Sequence, residues 1–207
     1  MAGGAALDGA GKRAAFALYY GPMHFLLVRE IVRALALPAP GRILDLGCGT
    51  GTAGAAWALE REPRARLEGV DSSGWAVAEA RWTVARLGLD GRAARADAAT
   101  APLPVPPAGV LAAFTVNELA EEPRRWLLAR LVEAARIGST VLVVEPISRR
   151  VIPWWPEWAE AVRAAGGRED EWRFRPDLPD RLALLGKAAG LDSRELTGRS
   201  LALSPGL

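Results

Sequence analysis

Three glycines at alternate positions follow a carboxylate in the run Asp45-Leu46-Gly47-Cys48-Gly49-Thr50-Gly51-Thr52-Ala53. Residues of these types at this spacing hold a ligand; they do not break a bond. Glycine adopts backbone angles closed to other residues and lets a ligand come up against the main chain. The alanine-rich stretch that follows, with Ala55, Ala56, Trp57 and Leu59, reads as a helix. A helix start turns its unpaired N–H groups toward whatever sits before it. Gly49 to Gly54 also satisfies G-x-G-x-x-G, the dinucleotide fingerprint, with Asp71 at about the expected distance downstream. Taken alone, that match fits a nicotinamide dinucleotide, and a tight turn without a ligand fits as well.

Residues able to take part in bond-making are few. His24 is the single histidine. An ordinary pKa near about 6.5 suits a base that deprotonates a hydroxyl acceptor, and a partly buried helix histidine is the competing expectation. Asn117 and Glu118 are candidates for orienting an acceptor, or else they cap the helix that follows. Tyr19 and Tyr20, just before Gly21-Pro22, either close over a ligand or pack. Glu145-Pro146 reads as a strand terminator on the ligand edge. Trp154, Trp155 and Trp158 leave from the end of a strand and offer large contact area to an acceptor; a cover for the sheet edge or a subunit contact is the alternative. Cys48 is the only cysteine, which excludes an internal disulfide and cysteine-rich metal sites. It either fills a tight loop or sits as a thiol activated by the helix start. No metal site is expected.

The fuller string Asp45-Leu46-Gly47-Cys48-Gly49-Thr50-Gly51, an acid ending a strand and then Gly-x-Gly-x-Gly, resembles motif I of class I S-adenosylmethionine (SAM)-dependent methyltransferases. The resemblance covers about residues 41–145. It implies SAM as the cofactor and methyl transfer by direct in-line displacement. The loop of Gly47, Cys48, Gly49 and Gly51 would pass the methionine part, with Asp45 tethering it from behind. Asp71 would accept hydrogen bonds from both ribose hydroxyls, because an ionised carboxylate has two acceptor oxygens and a vicinal diol two donors. Ser72 would flank the adenine, Asp97 would accept from its amino group, and Ala98 and Phe114, the latter at the end of strand four, would belong to the cofactor site. The Asn/Asp-Pro-Pro-Tyr/Phe signature of many amino-methylating enzymes is absent, as is the Pro-Cys nucleophile of cytosine-C5 enzymes. Scattered matches resemble the methyltransferase-like proteins that assist assembly of the mitochondrial small ribosomal subunit and their bacterial relatives: Gly49-Thr50-Gly51-Thr52-Ala53 through Trp57, Asn117-Glu118-Leu119, Val143-Val144-Glu145-Pro146 and Gly198-Arg199-Ser200-Leu201. The cysteine-rich metal site of those proteins has no counterpart in a chain with Cys48 alone. A SAM-binding assembly factor without catalysis, and an NAD(P)-dependent oxidoreductase, are therefore the competing functions.

The 207 residues suggest one domain with a small cap, and half of them are hydrophobic, enough for a sizeable core. A net charge of +2 is too small to argue for nucleic acid. A small or modest-sized acceptor is expected before RNA or a ribosomal subunit, in a cytoplasmic monomer or homodimer. The apolar run from Ala14 to Val28 is too short for a membrane span, so no membrane partner is expected.

The elements that must position these residues follow from periodicity and breakers. Residues 1–11 are expected to be disordered. A helix should run over 12–20, break at Gly21-Pro22, and resume over 23–37. From Gly41 strands and helices alternate: strands at 42–46, 66–71, 92–96, 110–116 and 140–145, with helices at 51–61, 73–88 and 123–137. That alternation predicts an α/β fold with a parallel sheet and helices on both faces, behind an N-terminal helical cap. The methyltransferase resemblance implies a doubly wound, mostly parallel, seven-stranded or slightly truncated Rossmann-like sheet. The cap is assigned 1–40 and the SAM-binding domain 41–207. An aromatic insertion is expected at about 147–176, followed by a helix over 178–190 and a short strand pair at the end. The helix over 73–88 is apolar on two sides, with Trp75, Ala78, Trp82 and Ala85 on the second, so it needs a second partner.

Overall fold

Strand β1 (Arg42–Leu46) feeds two apolar layers, Ile43 one of them and Leu44 and Leu46 the other. Around it lie β2 (Arg66–Asp71), β3 (Gly91–Arg95), β4 (Gly109–Ala113), β5 (Thr140–Glu145), β6 (Arg168–Phe174) and β7 (Leu196–Leu203). They form one seven-stranded sheet in the order β3-β2-β1-β4-β5-β7-β6. Neighbours from β3 to β5 are parallel, and β7 runs antiparallel to both β5 and β6. The computed structural model describes residues 9–38, 40–60, 62–191 and 194–205. Among these, no helix is long and apolar enough to cross a membrane, and no group of three or more His, Cys, Asp and Glu is placed to hold a metal ion.

Helices cover both faces. Helix α3 (Thr52–Ala58) is buried along its length between the sheet and a long N-terminal helical run. Small residues make that sandwich possible: a Cβ on Gly54 would stand 2.6 Å from the Asp45 carboxylate. Helix α4 (Gly74–Arg86) covers β2 and β3, with Ser73 capping it through its hydroxyl. Helices α5 (Glu121–Arg136) and α6 (Trp155–Ala164) build the other layer, and α7 (Asp180–Ala188) connects β6 to β7.

The N-terminal run departs from expectation. Helix α1 (Ala10–Ala15) begins inside the segment expected to be disordered; residues 1–8 lie outside the described residues. No break occurs at Gly21-Pro22. A π-helical turn (Phe16–Tyr20) carries α1 straight into α2 (Gly21–Ala34), and Gly21 N donates to Phe16 O five residues back. A regular helix would drive the Pro22 ring into a carbonyl of the preceding turn; the wider turn gives it room. Met23, Leu27, Val28, Ile31 and Val32 form the buried face of α2.

The stretch expected to be an aromatic insertion resolves into regular elements, α6 and β6, and the final strand is eight residues long, not stunted. The second stripe of α4 finds little cover. Arg13 lies over Trp75 at 5.7 Å, while Trp82 is 64% exposed and Ala78 and Ala85 face solvent.

Candidate functional site

The carboxyl ends of β3, β2, β1 and β4 open on a cleft of about 270 Å³, which is where ligands bind in open α/β sheets. Gly47, Gly49 and Gly51 all take left-handed angles, φ 65°, 51° and 75°. At Gly47 space decides as well as angle, since a Cβ would stand 2.4 Å from the Thr115 side chain. The loop is tied down from three sides. Cys48 N donates to Val70 O at 2.9 Å, Gly49 N donates to Asp71 Oδ2 at 2.9 Å, and Gly54 N donates to Asp45 Oδ2 at 3.0 Å. Thr115 adds a fourth tie: its Oγ1 lies 3.0 Å from Leu46 O and 3.2 Å from both Gly47 O and Ala113 O, and its one proton is shared among these acceptors.

Most residues singled out from the sequence come together here. Gly47, Cys48, Gly49, Asp71, Ser72, Asp97, Ala98, Phe114, Glu118 and His24 border the cleft. Asp45 stands behind the loop as expected; burial pushes its carboxyl up to about 7, helped by the charge on Asp71. Gly51 lies at the cap of α3, not on the cleft wall. Cys48 is a filler: it packs with Val77, Ala80 and Ala93, and burial pushes its thiol well up, so it is not an activated nucleophile. Asp71 Oδ1 accepts from Ser73 N at 2.8 Å, so each of its oxygens already takes one N–H and keeps a lone pair. Asp97 uses Oδ1 alone to hold the Ala99 and Thr100 N–H groups.

Other expectations fail on geometry. His24 is stacked on Phe114 and meets Phe16 edge-on. Burial lowers its pKa to about 4, too low for an effective base near neutrality. Asn117 does not border the cleft, and its N–H is drawn the other way, donating to Glu145 Oε1 at 3.3 Å. Tyr19 is buried in the core and Tyr20 is 43% exposed; neither borders the cleft, where the helical run presents Phe16 from the π-helical turn and His24 from α2. Trp154, Trp155 and Trp158 do not line the cleft. They are buried against α5 and the sheet, with Trp155 Nε1 donating to Glu169 Oε1 at 2.7 Å and Arg124 over Trp154. Chain leaving β5 turns onto the α5 face, so the tryptophans cover the sheet.

Three contributors were not read from the sequence. Phe16 lies over the loop, 3.1 Å from where a Gly49 Cβ would be. Thr115 couples β4 to β1. Glu145, expected only to end a strand, is fully buried and accepts from Val116 N at 2.8 Å and Asn117 N. It thereby anchors the 3-10 turn Val116–Glu118, which brings Glu118 to the cleft. Burial pushes Glu145 up to about 8; it also raises Glu118, with Asp71 adding to the effect. The alternation that makes Glu145 follow Val143 on one sheet face was visible, but no pattern in the chain showed what it would hold.

Residues 43–138 match the family described as "Methyltransferase domain". A stretch of 62 residues is 47% identical to the ribosomal RNA small subunit methyltransferase C of Pseudomonas aeruginosa, which amounts to 30% of this chain and 18% of that protein. Among solved structures, a SAM-dependent methyltransferase from Aquifex aeolicus superposes with a TM-score of 0.57 at 17% identity, over 93% of each chain. The magnesium protoporphyrin IX methyltransferase of Synechocystis PCC 6803, solved with SAM bound, gives 0.56 at 14% identity, over 89% of this chain and 81% of that one. At such identities the superpositions carry the fold.

Proposed function

We propose that this chain, whose residues 43–138 match a methyltransferase domain, is a class I SAM-dependent methyltransferase that methylates a small or modest-sized acceptor at the Phe114–Leu119 end of the cleft. The observation that carries the reading is the cleft itself, with a cradle of left-handed glycines and carboxylates that keep acceptor capacity. The cradle fits SAM: the backbone of Gly47 and Gly49 would hold its methionine part, Asp71 retains lone pairs that would accept from the ribose hydroxyls, and Asp97 Oδ2 would be available to the adenine amino group. SAM, when bound, supplies a methyl group already activated by its sulfonium. The chain's own work is then to orient the acceptor and exclude water. Glu118, raised by burial at the cleft wall, is the group we assign to hold the acceptor's proton. Asn117 acts through the turn it shares with Glu118, and His24 takes no proton.

We take the prefix up to residue 40 as a cap over a binding domain of 41–207, in a cytoplasmic protein, monomeric or homodimeric, where the buried Cys48 thiol stays reduced. RNA is the second reading, favoured by the 62-residue match to a ribosomal RNA methyltransferase. Charge disfavours it, because arginines are paired with acids, as where Arg42, Arg66 and Arg92 gather on Glu68. A methyl-transfer screen with SAM over small hydroxyl and amine compounds, RNA and proteins tests the proposal. Small acceptors should be methylated, in a Glu118-dependent manner. Incorporation into RNA alone would overturn the small-acceptor reading, and incorporation nowhere would favour a binding factor without catalysis.

A further inference from the structure

Strand order gives the cleft a direction. Asp97 stands by β3, Asp71 by β2, Gly47 to Gly49 by β1, and Phe114 by β4. With adenine and ribose toward Asp97 and Asp71, the sulfonium falls toward the β1–β4 end. That end is aromatic. His24 stacks on Phe114 with ring centroids 3.8 Å apart and planes 14° from parallel. Phe16 meets His24 edge-on, at 5.9 Å and 85°. All three border the cleft, and Phe16 rests on the glycine loop. Phe114 is held at φ 57°, a left-handed angle bulky residues seldom adopt and one that clusters at ligand sites. Its N–H donates to Val144 O at 2.8 Å, and Thr115 ties the next residue to β1, so the angle is fixed from both sides. His24 covers one face of Phe114; among the described residues no ring stacks on the other.

We propose that Phe114, braced by His24 and Phe16, recognises the sulfonium cation through its ring face and sets a preference for SAM over its neutral product, S-adenosylhomocysteine. Resting on the reading of the cleft as a SAM site, this makes Phe114 specificity-determining and His24 a positioning residue. The quadrupole of an aromatic ring face attracts a cation, whereas a neutral thioether keeps only the weaker sulfur–ring contact, often at the ring edge. Burial keeps the imidazole uncharged, whereas an imidazolium would repel the sulfonium. Asp71, Asp97 and Glu118 also face the cleft and favour a cation whatever the rings do. The experiment must therefore vary the rings alone.

Calorimetric titration of the full chain with SAM and with S-adenosylhomocysteine does this. Phe114→Leu and His24→Leu should weaken SAM about three- to tenfold and S-adenosylhomocysteine less than about twofold. His24→Phe, which keeps a stacking ring without the imidazole nitrogens, should retain the wild-type ratio of the two affinities. Circular dichroism checks that each variant folds, and Phe16→Leu carries the same expectation should Phe114→Leu fail to fold. Equal losses for both ligands in the leucine variants, or a ratio lost in His24→Phe, overturn the proposal. A wild-type chain that binds neither ligand brings down the reading of the cleft itself, an outcome distinct from binding both with no dependence on the rings.

Discussion

Asp71 serves the loop and the ligand with one carboxylate. Its two oxygens take N–H groups from Gly49 and Ser73, so Asp71→Ala should act twice. Loss of the ribose acceptor should weaken S-adenosylhomocysteine about ten- to a hundredfold, roughly 1.5–3 kcal/mol, and the melting temperature should fall because two backbone donors lose their partner. Calorimetry and a thermal melt read the two effects; unchanged affinity would show that Asp71 does not hold the ribose. Asp45 and Glu145 give a second expectation. Folding raises them to about 7 and about 8, so above pH 6.5 the folded chain holds protons that the unfolded chain has already released. Stability should then fall as pH rises from 6.5 to 8, by at most about 1.4 kcal/mol per pH unit for each proton held. His24, lowered on folding, contributes the opposite slope only below its ordinary value near 6.5. Urea unfolding at both pH values measures the change, and Glu145→Gln should flatten it; a flat profile in the wild type would mean both carboxyls are ionised when folded. The glycines and Asp71 were legible because their chemistry is local. Phe16 and Glu145 were not, because each acts on a segment far away in the chain.

Among the elements, β1, β2 and β5 occupy the spans their apolar runs predict, and β5 is buried at every position. Strand β6 was hidden by Arg168-Glu169-Asp170-Glu171, charges that suit a sheet edge and deter further pairing. The π-helical turn has no compositional signature, so the prefix was read as two helices. The tryptophans were read as a cluster that either walls a pocket or covers the sheet, and the fold gives them the second place; the sequence does not say to which side the chain turns after β5. Trp155→Ala should therefore lower stability by about 3–5 kcal/mol while the folded fraction binds S-adenosylhomocysteine as before. A selective loss of binding would return Trp155 to the cleft. Gly47→Ala should do the reverse in emphasis. It strains a left-handed turn and meets Thr115, so cofactor affinity should fall more than about tenfold with a stability loss of about 1–3 kcal/mol. Wild-type affinity in that variant would show the loop to be more yielding than its packing implies.

For the whole molecule, fold class was legible from the alternation of elements and the strand number from the methyltransferase resemblance, while the placing of β7 between β5 and β6 rests on long-range pairing. The complete chain should bind SAM and S-adenosylhomocysteine in the micromolar range, about −7 to −9 kcal/mol, and calorimetry should show no heat with NADH; tighter binding of NADH would contradict the cofactor. The strand order also bears on synthesis. Every residue bordering the cleft lies between Phe16 and Leu119, and the anchor of its far wall is Glu145. Strand β6 is made before the strand it must pair with, and waits for it. A ribosome therefore releases all of the ligand-facing chain while the last two strands are still to come, and domains fold as units during such emergence. Stalled nascent chains with about 150 residues clear of the tunnel should already be protected from protease by S-adenosylhomocysteine. Protection that arrives only with β7 would mean that the open edge of β5 must be closed before the cleft can hold its cofactor.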